Sequence, residues 1–477
     1  MRRDGGGAKE EKSMNVTDLK SVGLHVPYDR IPSYVIDESK CRLADTILAL
    51  IGGALAVPPE EMALLRGVVR EEHEVRPIWP LIPETSMEMA GFLNGFFIRY
   101  ADLGDTYGRK CKIGAGGHPS DMFAGILAMC DSRNVTGKRI IELLHLGYQM
   151  YSILQENMMY KRLEVDYTTT LALIIPVLAA VCFDASPERI QNALNLSASS
   201  AMIVEQVRPG DITNLKSGAT AYSTARALWC YRFSEVLQAP ASMFSGKYGW
   251  YNVIADLTGE LAVPEGYFAF ETVQTKMFPA YNPAQAPIEC AISMHEQLII
   301  TGKKSVRIEL RVCEKDAKKI FKSAEHAEYP TSMAEADHNL KYCVAVALQS
   351  GSMTSLQYSG EYLHSAEVRG LMDIIDVRQM DSDEEAALSG GNSGSCKLEV
   401  TTKDGDMLIE SRSHPAGVLT GLETGERVKR IREIVDKKRS MLEKSGGYNF
   451  DSLFKTIFNL EQSNGQALID EIRKSLK

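Results

Sequence analysis

The chain has 477 residues, of which 44% are hydrophobic and 24% charged, and its formal net charge is −9. This composition is ordinary for a globular protein, and the length predicts two domains because a single core rarely grows this large. The negative net charge argues against a general nucleic-acid binder, which would carry a basic face, so we expect no nucleic-acid partner.

The nine cysteines are scattered along the chain and include no C-x-x-C pair. This usage is typical of a reduced, intracellular protein and lacks the spacing of zinc or iron–sulfur sites, so we expect no metal and no cofactor. Residues 1–30 are predicted to be a flexible tail without a secretory signal, with Met14 as an alternative start. The most apolar run, residues 171–183, is too short for a bilayer, which predicts a cytoplasmic protein with no membrane partner.

Helical periodicity dominates from about residue 35 to 280. Residues 86–103 place apolar side chains at i, i+3, i+4 and i+7 and small ones opposite, which predicts a buried helix. Asp102, near its end, should then face an interior or a cleft. Thr106 would share that face if the helix continued past Gly104. Further helices are predicted at residues 38–56, 121–133, 137–160, 168–183, 187–202 and 216–236.

The pattern changes after about residue 280. Residues 305–314 alternate like a half-buried strand, and residues 396–412 form two alternating runs around a turn. Ser332 and Glu335 form a capping box, which predicts a helix to about residue 349.

Helical periodicity returns at about residues 424–443. The predicted fold is therefore mainly α with a smaller α+β lid. We expect a large all-helical domain over residues 31–280, to which residues 415–477 return, and an inserted lid domain over residues 281–414.

The segment from Asp102 to Ser120 concentrates reactive side chains. It contains an acid at Asp102, a hydroxyl at Thr106 and a histidine at His118, with Arg109 and other cations between them. These groups suit proton transfer on a polyanionic substrate, because such chemistry needs a base and cations that hold developing charge.

Four segments follow one another at family-like separations. They are Asp102-x-x-Asp105-Thr106 with His118-Pro119-Ser120, the helical run from Val165 to Leu194, Thr213-Asn214-Leu215-Lys216-Ser217-Gly218, and Lys276-x-Phe278-Pro279-Ala280. Together with the later Asp337-His338-x-x-x-Tyr342, they resemble the MmgE/PrpD family. That family includes 2-methylcitrate dehydratase, cis-aconitate decarboxylase and iminodisuccinate epimerase. The resemblance covers about residues 35–415.

The resemblance implies a helical domain with a smaller lid, a homodimer, and an active site between the domains that uses a small-molecule carboxylate. It implies four catalytic residues. His118 would be the main proton-transfer group, Asp102 would orient it or share the proton work, and Lys216 and Lys276 would bind substrate carboxylates. The substrate-binding residues that we expect are Thr106, Ser120, Tyr167, Ser217, Tyr281 and Arg109.

Three departures from the family pattern bear on the substrate. Tyr167 stands where the dehydratase branch has histidine, and a phenol is a poorer base near neutral pH. Tyr281-Asn282-Pro283 stands where relatives offer another histidine. The loop from Tyr107 to Gly117 is longer and more basic, either as a surface insertion or as a cationic flap.

The local text resembles the dehydratase branch at His118-Pro119-Ser120-Asp121 and at Lys247-Tyr248-Gly249-Trp250. The leading interpretation is a metal-independent hydro-lyase on a small di- or tricarboxylate, most similar to 2-methylcitrate dehydratase. The alternatives are a decarboxylase or epimerase on a cis-aconitate-like acid, and a catalytically weak carboxylate-binding homologue.

Overall fold

The structure is a computed structural model, which describes residues 24–108, 116–132, 135–161, 164–208, 212–257, 263, 268–322, 328–389 and 394–476. Arg109, and with it most of the basic loop, lies outside the described residues.

Nine α-helices form the first part of the described chain. They are α1 (Ser33–Ala56), α2 (Pro59–Val68), α3 (Met87–Tyr100), α4 (Phe123–Cys130), α5 (Gly137–Asn157), α6 (Leu171–Cys182), α7 (Pro187–Ala198), α8 (Leu215–Phe233) and α9 (Trp250–Val253). Side-chain caps begin several of them: the hydroxyl of Ser86 accepts from Met89 N–H, and that of Ser186 accepts from Arg189 N–H.

Two short antiparallel strand pairs interrupt these helices, where the sequence predicts helices alone. Strand β1 (Thr106–Tyr107) pairs with β4 (Val273–Gln274), and β2 (Met158–Tyr160) pairs with β3 (Ala255–Leu257). The segments are too short to show the alternation that identifies a strand. The β1–β4 pair brings the chain after Asp102 beside the chain that leads to Lys276.

The second part of the chain wraps helices around one mixed sheet. Its elements are α10 (Gln285–Thr301), β5 (Ser305–Val312), α11 (Glu314–Lys322), α12 (Met333–Ala336), α13 (Leu340–Ser350), α14 (Gly360–Leu363), α15 (Ala366–Asp373), β6 (Ile375–Gln379), α16 (Ser382–Ser389), β7 (Cys396–Thr402) and β8 (Met407–Arg412). The strand order is β6-β5-β7-β8, with β5 parallel to β6 and the other pairs antiparallel. Gly405, at φ 86°, allows the tight turn between β7 and β8.

Three helices end the chain: α17 (Thr424–Gly446), α18 (Asp451–Phe458) and α19 (Gly465–Ser475). Apolar side chains of α18 and α19 join the core of the first part, while α17 contributes Val435 to that core and Ile434 to the core of the second part. The predicted fold class, mainly α with a smaller α+β part, is confirmed.

Three local predictions are corrected. Helix α3 ends at Tyr100, so Thr106 lies in a strand and not on the helical face of Asp102. The helix predicted from Ser332 to about residue 349 is two helices, separated at Asp337–Asn339. Residues 24–30 pack against the protein, because Leu24 is buried and the Tyr28 N–H donates to Glu142 over 2.8 Å.

Among the described residues, no single helix has both the length and the apolarity needed to cross a bilayer. Helices α1 and α2, which meet at a bend of 103°, satisfy those two criteria only as a pair. Most of α1 is buried inside the protein.

Candidate active site

Asp102 is held just beyond the end of α3 in a left-handed backbone conformation, with φ 46°. Aspartate tolerates this region better than most residues, but the conformation still needs support from its surroundings. That support is electrostatic. One carboxylate oxygen accepts from Arg99 Nη2 over 2.7 Å, and the other lies 2.9 Å from Lys276 Nζ. Lys276 Nζ also donates to the Asp102 carbonyl over 2.9 Å.

These charges shift the protonation of both partners. Burial opposes ionisation of Asp102, but Lys276 and Arg99 outweigh it and hold the pKa of Asp102 well below its usual range. Burial lowers the pKa of Lys276 to about 8, against the opposing effect of Asp102. Lys276 can therefore give up a proton near neutral pH more readily than an ordinary lysine.

His118 follows Gly116 and Gly117, both of which adopt positive φ. Its Nδ1 lies 2.6 Å from the carbonyl oxygen of Asp105. A carbonyl oxygen only accepts, so Nδ1 carries the hydrogen and the neutral ring keeps its lone pair on Nε2. Burial and the positive charges of Arg99 and Lys276 lower the pKa of His118 well below its usual value. The ring is thus neutral at physiological pH, and Nε2 can accept a proton.

Asp105 fixes the backbone on which His118 lies. Its two carboxylate oxygens accept from the Ser120 N–H over 2.9 Å and from the Tyr148 hydroxyl over 2.6 Å. Arg42 Nη1 approaches the second oxygen at 3.5 Å. The hydrogen bond that holds the His118 ring thus comes from Asp105, while the predicted role of Asp102 in orienting His118 or sharing the proton work stays a prediction.

Tyr167 lies against His118, with ring centroids 5.4 Å apart. Its hydroxyl donates to Asp121 over 3.2 Å, and Thr220 donates to the same carboxylate oxygen over 2.8 Å. Burial raises the pKa of Asp121 to about 6, although Arg99 opposes the shift. Burial also raises the pKa of the Tyr167 phenol. Tyr167 is thus a hydrogen-bond donor beside the base and is not itself a base.

Lys216 and Asp337 form a second buried ion pair. The Lys216 ammonium lies 2.8 and 2.6 Å from the two oxygens of Asp337 and 3.4 Å from His338 Nδ1. His338 also contacts Asp337, and its ring stacks on that of Tyr281 with centroids 5.2 Å apart. Lys216 comes from α8 and Asp337 from the break between α12 and α13, so this pair joins the two parts of the chain.

The two charged pairs lie side by side. Carboxylate oxygens of Asp102 and Asp337 and a ring nitrogen of His338 all lie within 4.8 Å of one another. Two carboxylates and an imidazole are chemically able to hold a cation. Here each carboxylate already pairs with a lysine ammonium, so its charge is neutralised without a metal.

A cavity of about 890 Å³ opens beside this cluster. Its wall includes Lys216, Ser217, Tyr100 and Tyr358, together with residues 331–335 of the second part. This volume suits a small ligand. Residues Lys216 and Ser217 thus connect the buried charges with the cavity.

The structure brings most of the predicted site residues together. Lys276 contacts Asp102, and both residues lie close enough to His118 to influence its pKa. Tyr167 lies against His118, and Tyr281 stacks on His338. Ser120 is buried beside them, and Ser217 lines the cavity. Thr106 is buried in β1, opposite Gln274. Arg109 is not among the described residues.

Sequence reasoning missed five neighbours of the site: Arg99, Asp105, Asp121, Asp337 and His338. Asp105, Asp337 and His338 stand inside segments that resemble the family, so they could have been included on that ground. Nothing in the local sequence separates Arg99 from other helical arginines.

The chain belongs to the MmgE/PrpD family. Residues 18–259 match the MmgE/PrpD N-terminal domain, and residues 278–447 match the MmgE/PrpD C-terminal domain.

Several curated relatives are 22–25% identical to the chain. The 2-methylcitrate dehydratase of Salmonella typhimurium is 25% identical over 313 residues, covering 62% of this chain and 64% of the relative. The mitochondrial 2-methylcitrate dehydratase of Yarrowia lipolytica is 25% identical, covering 68% and 65%. The 2-methylcitrate dehydratase-like protein oryR of Aspergillus oryzae is 22% identical, covering 90% and 96%. The chain thus spans somewhat less than two thirds of the length of the Salmonella relative.

Proposed function

We propose that the protein is a metal-independent hydro-lyase that removes water from a small hydroxy di- or tricarboxylate, with 2-methylcitrate as the leading substrate. The observation that carries this proposal is that the imidazole of His118, held by the Asp105 carbonyl at 2.6 Å, lies near the Lys276–Asp102 pair, in which Lys276 Nζ lies 2.9 Å from the carboxylate. Burial leaves His118 neutral and lowers the pKa of Lys276 to about 8. The names of the relatives support the same reaction class.

The proposed reaction begins at carbon. His118 Nε2 takes the proton from the carbon next to a substrate carboxylate, and the electron pair of the broken C–H bond passes into that carboxylate. Lysine charge stabilises the enolate-like dianion, because a buried cation acts strongly where water is excluded. The electron pair then returns to form the C=C bond as the hydroxyl leaves.

The leaving group needs a proton. Lys276 donates it to the departing hydroxyl, which leaves as water. Proton transfer from the His118 imidazolium to the neutral Lys276 then restores the starting state, so protons and electrons balance. Asp102 stays bound to Lys276 when the lysine is protonated and when it is neutral.

The same groups suit two other outcomes. Loss of CO₂ would need the cation cluster and a proton donor to carbon, while epimerisation would need only proton removal and return. A catalytically weak carboxylate-binding protein would need only the cations. The intact pairing of His118 with Asp105 favours proton transfer over simple binding.

One experiment separates these functions. The purified protein is incubated in D₂O with 2-methylcitrate, citrate and cis-aconitate, and the products are followed by NMR. We expect a new alkene and loss of water from a hydroxy acid. Release of CO₂ would identify a decarboxylase, and deuterium exchange alone an epimerase. No change with any acid contradicts the hydro-lyase proposal.

The remaining expectations are part of the proposal. We propose that the protein acts as a homodimer in the cytoplasm on a carboxylate substrate, without a cofactor, a nucleic acid or a membrane. Size-exclusion chromatography with light scattering tests the dimer: a mass of about 105 kDa, twice 52.7 kDa, is expected.

A further inference from the structure

Arg99 is a buried cation with unused hydrogen-bond donors. It lies near the end of α3, is among the largest fully buried side chains, and uses Nη2 to bind Asp102 over 2.7 Å. Among the described residues, Nε and Nη1 have no hydrogen-bond partner. The nearest acceptor to Nε is an oxygen of Asp121, at 3.7 Å, which exceeds hydrogen-bond length.

Unused donors on a buried guanidinium are costly. Burying a polar group without a partner loses the free energy of its hydrogen bonds to water, and a charged group loses more than a neutral one. Such a group in a native protein calls for an explanation, and a ligand that is not part of the chain is one. The planar guanidinium is shaped to bind a carboxylate through two parallel hydrogen bonds.

The lysines are less available for this role than Arg99. Lys276 makes two contacts with Asp102, and Lys216 lies within 2.8 Å of both oxygens of Asp337. Each ammonium therefore already has a protein carboxylate as its partner. Arg99 shares Asp102 with Lys276, so this carboxylate faces two cations, and the other carboxylate near Arg99, that of Asp121, lies beyond hydrogen-bond length at 3.7 Å.

A second unpartnered polar group lies in the same neighbourhood. The Ser120 hydroxyl is fully buried and has no partner among the described residues. It lies beside Gly104, two residues after Asp102, where an added Cβ would come within 3.1 Å of the hydroxyl oxygen. The adjacent Asp121 also has one oxygen without a partner among the described residues, and burial raises the pKa of its carboxyl to about 6, which makes it easier to protonate than an ordinary aspartate.

We infer that Arg99 is a substrate-binding residue whose Nη1, together with the Ser120 hydroxyl, binds a carboxylate of the substrate. The inference rests on the proposed function and assigns the anchoring of one carboxylate to a residue outside the four family-like segments. It also gives the predicted binding residue Ser120 a partner. The lysines then act on the carboxylate that gains charge and on the leaving hydroxyl.

Binding measurements test the inference without turnover. Calorimetry compares tricarballylate, an unreactive tricarboxylate, with the wild-type protein and the variants R99Q and R99K. We expect R99Q to weaken binding about 10- to 100-fold, the range for a lost hydrogen bond to a charged group. The variant R99K keeps the positive charge but lacks the paired donors of the guanidinium. Its affinity for tricarballylate should lie between those of the wild-type protein and R99Q. The matched control is R76Q, since Arg76 pairs with Asp131 and Asp470 away from the site.

A crystal structure with tricarballylate completes the test. A carboxylate oxygen within 3.2 Å of Arg99 Nη1 is the expected result. Water in that position with the ligand bound elsewhere, or R99Q binding as tightly as R76Q, overturns the inference but leaves the proposed function intact. If R99Q does not fold, the affinity of R99K for tricarballylate and the crystal structure test the inference instead. A wild-type protein that binds no acid overturns both the inference and the proposed function.

Discussion

Lys276 contacts Asp102 twice, once at the side-chain carboxylate and once at the backbone carbonyl, each over 2.9 Å. Lys276 follows strand β4 in the chain, and Asp102 lies in a left-handed conformation after α3. This double contact fixes the ammonium of Lys276, the proposed proton donor, near the neutral ring of His118. We therefore expect the activity to depend on the protonation state of Lys276.

Activity should fall as the pH rises through about 8, because Lys276 then loses the proton that it donates. Below that pH the rate should stay level to about pH 6, since His118 remains neutral. A profile of kcat/KM from pH 6 to 10 measures this.

Unfolding cannot account for such a fall. Folding lowers the pKa of Lys276 from 10.5 to about 8, so the unfolded chain binds this proton more tightly. The contribution of Lys276 to the free energy of unfolding therefore rises with pH between those values. A profile that stays level to pH 9.5 would falsify the assigned role.

Replacing His118 with asparagine should lower kcat by about 10²- to 10⁴-fold, the usual contribution of a general base. The asparagine amide can still donate to the Asp105 carbonyl, so the fold should be retained. Steady-state kinetics and thermal melting measure the two effects separately. Full activity with a normal melting temperature would remove His118 from the mechanism.

Asp105 should matter for both stability and rate. Asp105→Asn replaces an oxygen that accepts from the Ser120 N–H or the Tyr148 hydroxyl, at a cost of about 1–3 kcal/mol in the free energy of unfolding. The rate should also fall, since His118 loses its fixed orientation. Tyr148→Phe is the matched variant, for which we expect about 1 kcal/mol and a smaller effect on kcat. Denaturant unfolding measures whether Asp105→Asn loses more free energy of unfolding than Tyr148→Phe. Equal losses of free energy in the two variants would contradict the prediction.

Gly117 permits the close approach of two rings. It adopts φ 62°, and an added Cβ would lie 2.2 Å from Tyr167 and 2.4 Å from the Tyr151 hydroxyl. Gly117→Ala should therefore destabilise the protein by about 1–3 kcal/mol and displace His118. Gly370→Ala in α15 has open space around it and should be neutral or stabilising by up to about 1 kcal/mol. Thermal melting of both variants makes the comparison, and similar melting temperatures would argue against the packing described.

Chelation should leave turnover unchanged. Because the carboxylates of Asp102 and Asp337 pair with lysines, we expect no metal ion at this cluster for EDTA to remove. Activity is measured after dialysis against EDTA and again after addition of Mg²⁺, Mn²⁺ or Zn²⁺. Loss on chelation with recovery on one metal would contradict the metal-independent proposal.

The long elements of the fold were predictable because their patterns repeat several times. The helix predicted over residues 187–202 is α7, and the strand predicted over residues 305–314 is β5. The hairpin predicted over residues 396–412 is β7 and β8. The helix through Asp337 was wrong, because Asn339 caps a new helix by accepting from Tyr342 N–H, and a capping box does not reveal where its helix stops.

The candidate site was predictable only in part, for a similar reason. The predicted catalytic residues lie in segments whose sequence resembles the MmgE/PrpD family: Asp102, His118, Lys216 and Lys276. The bond from His118 to the Asp105 carbonyl depends on the path of the backbone, which side-chain identities do not encode. The unused donors of Arg99 depend on burial and on which acceptors the described residues bring near it from distant parts of the chain. Neither property is visible in a linear sequence.

The Lys216–Asp337 pair crosses from one hydrophobic core to the other. Any hinge motion that parts the two cores would break this pair and uncover an ammonium and a carboxylate together. An incoming anion that took the place of Asp337 at Lys216 would keep the two cores apart, while its departure would let the Lys216–Asp337 pair re-form. Ligand exchange and separation of the cores would then be reciprocal events governed by one competition for Lys216.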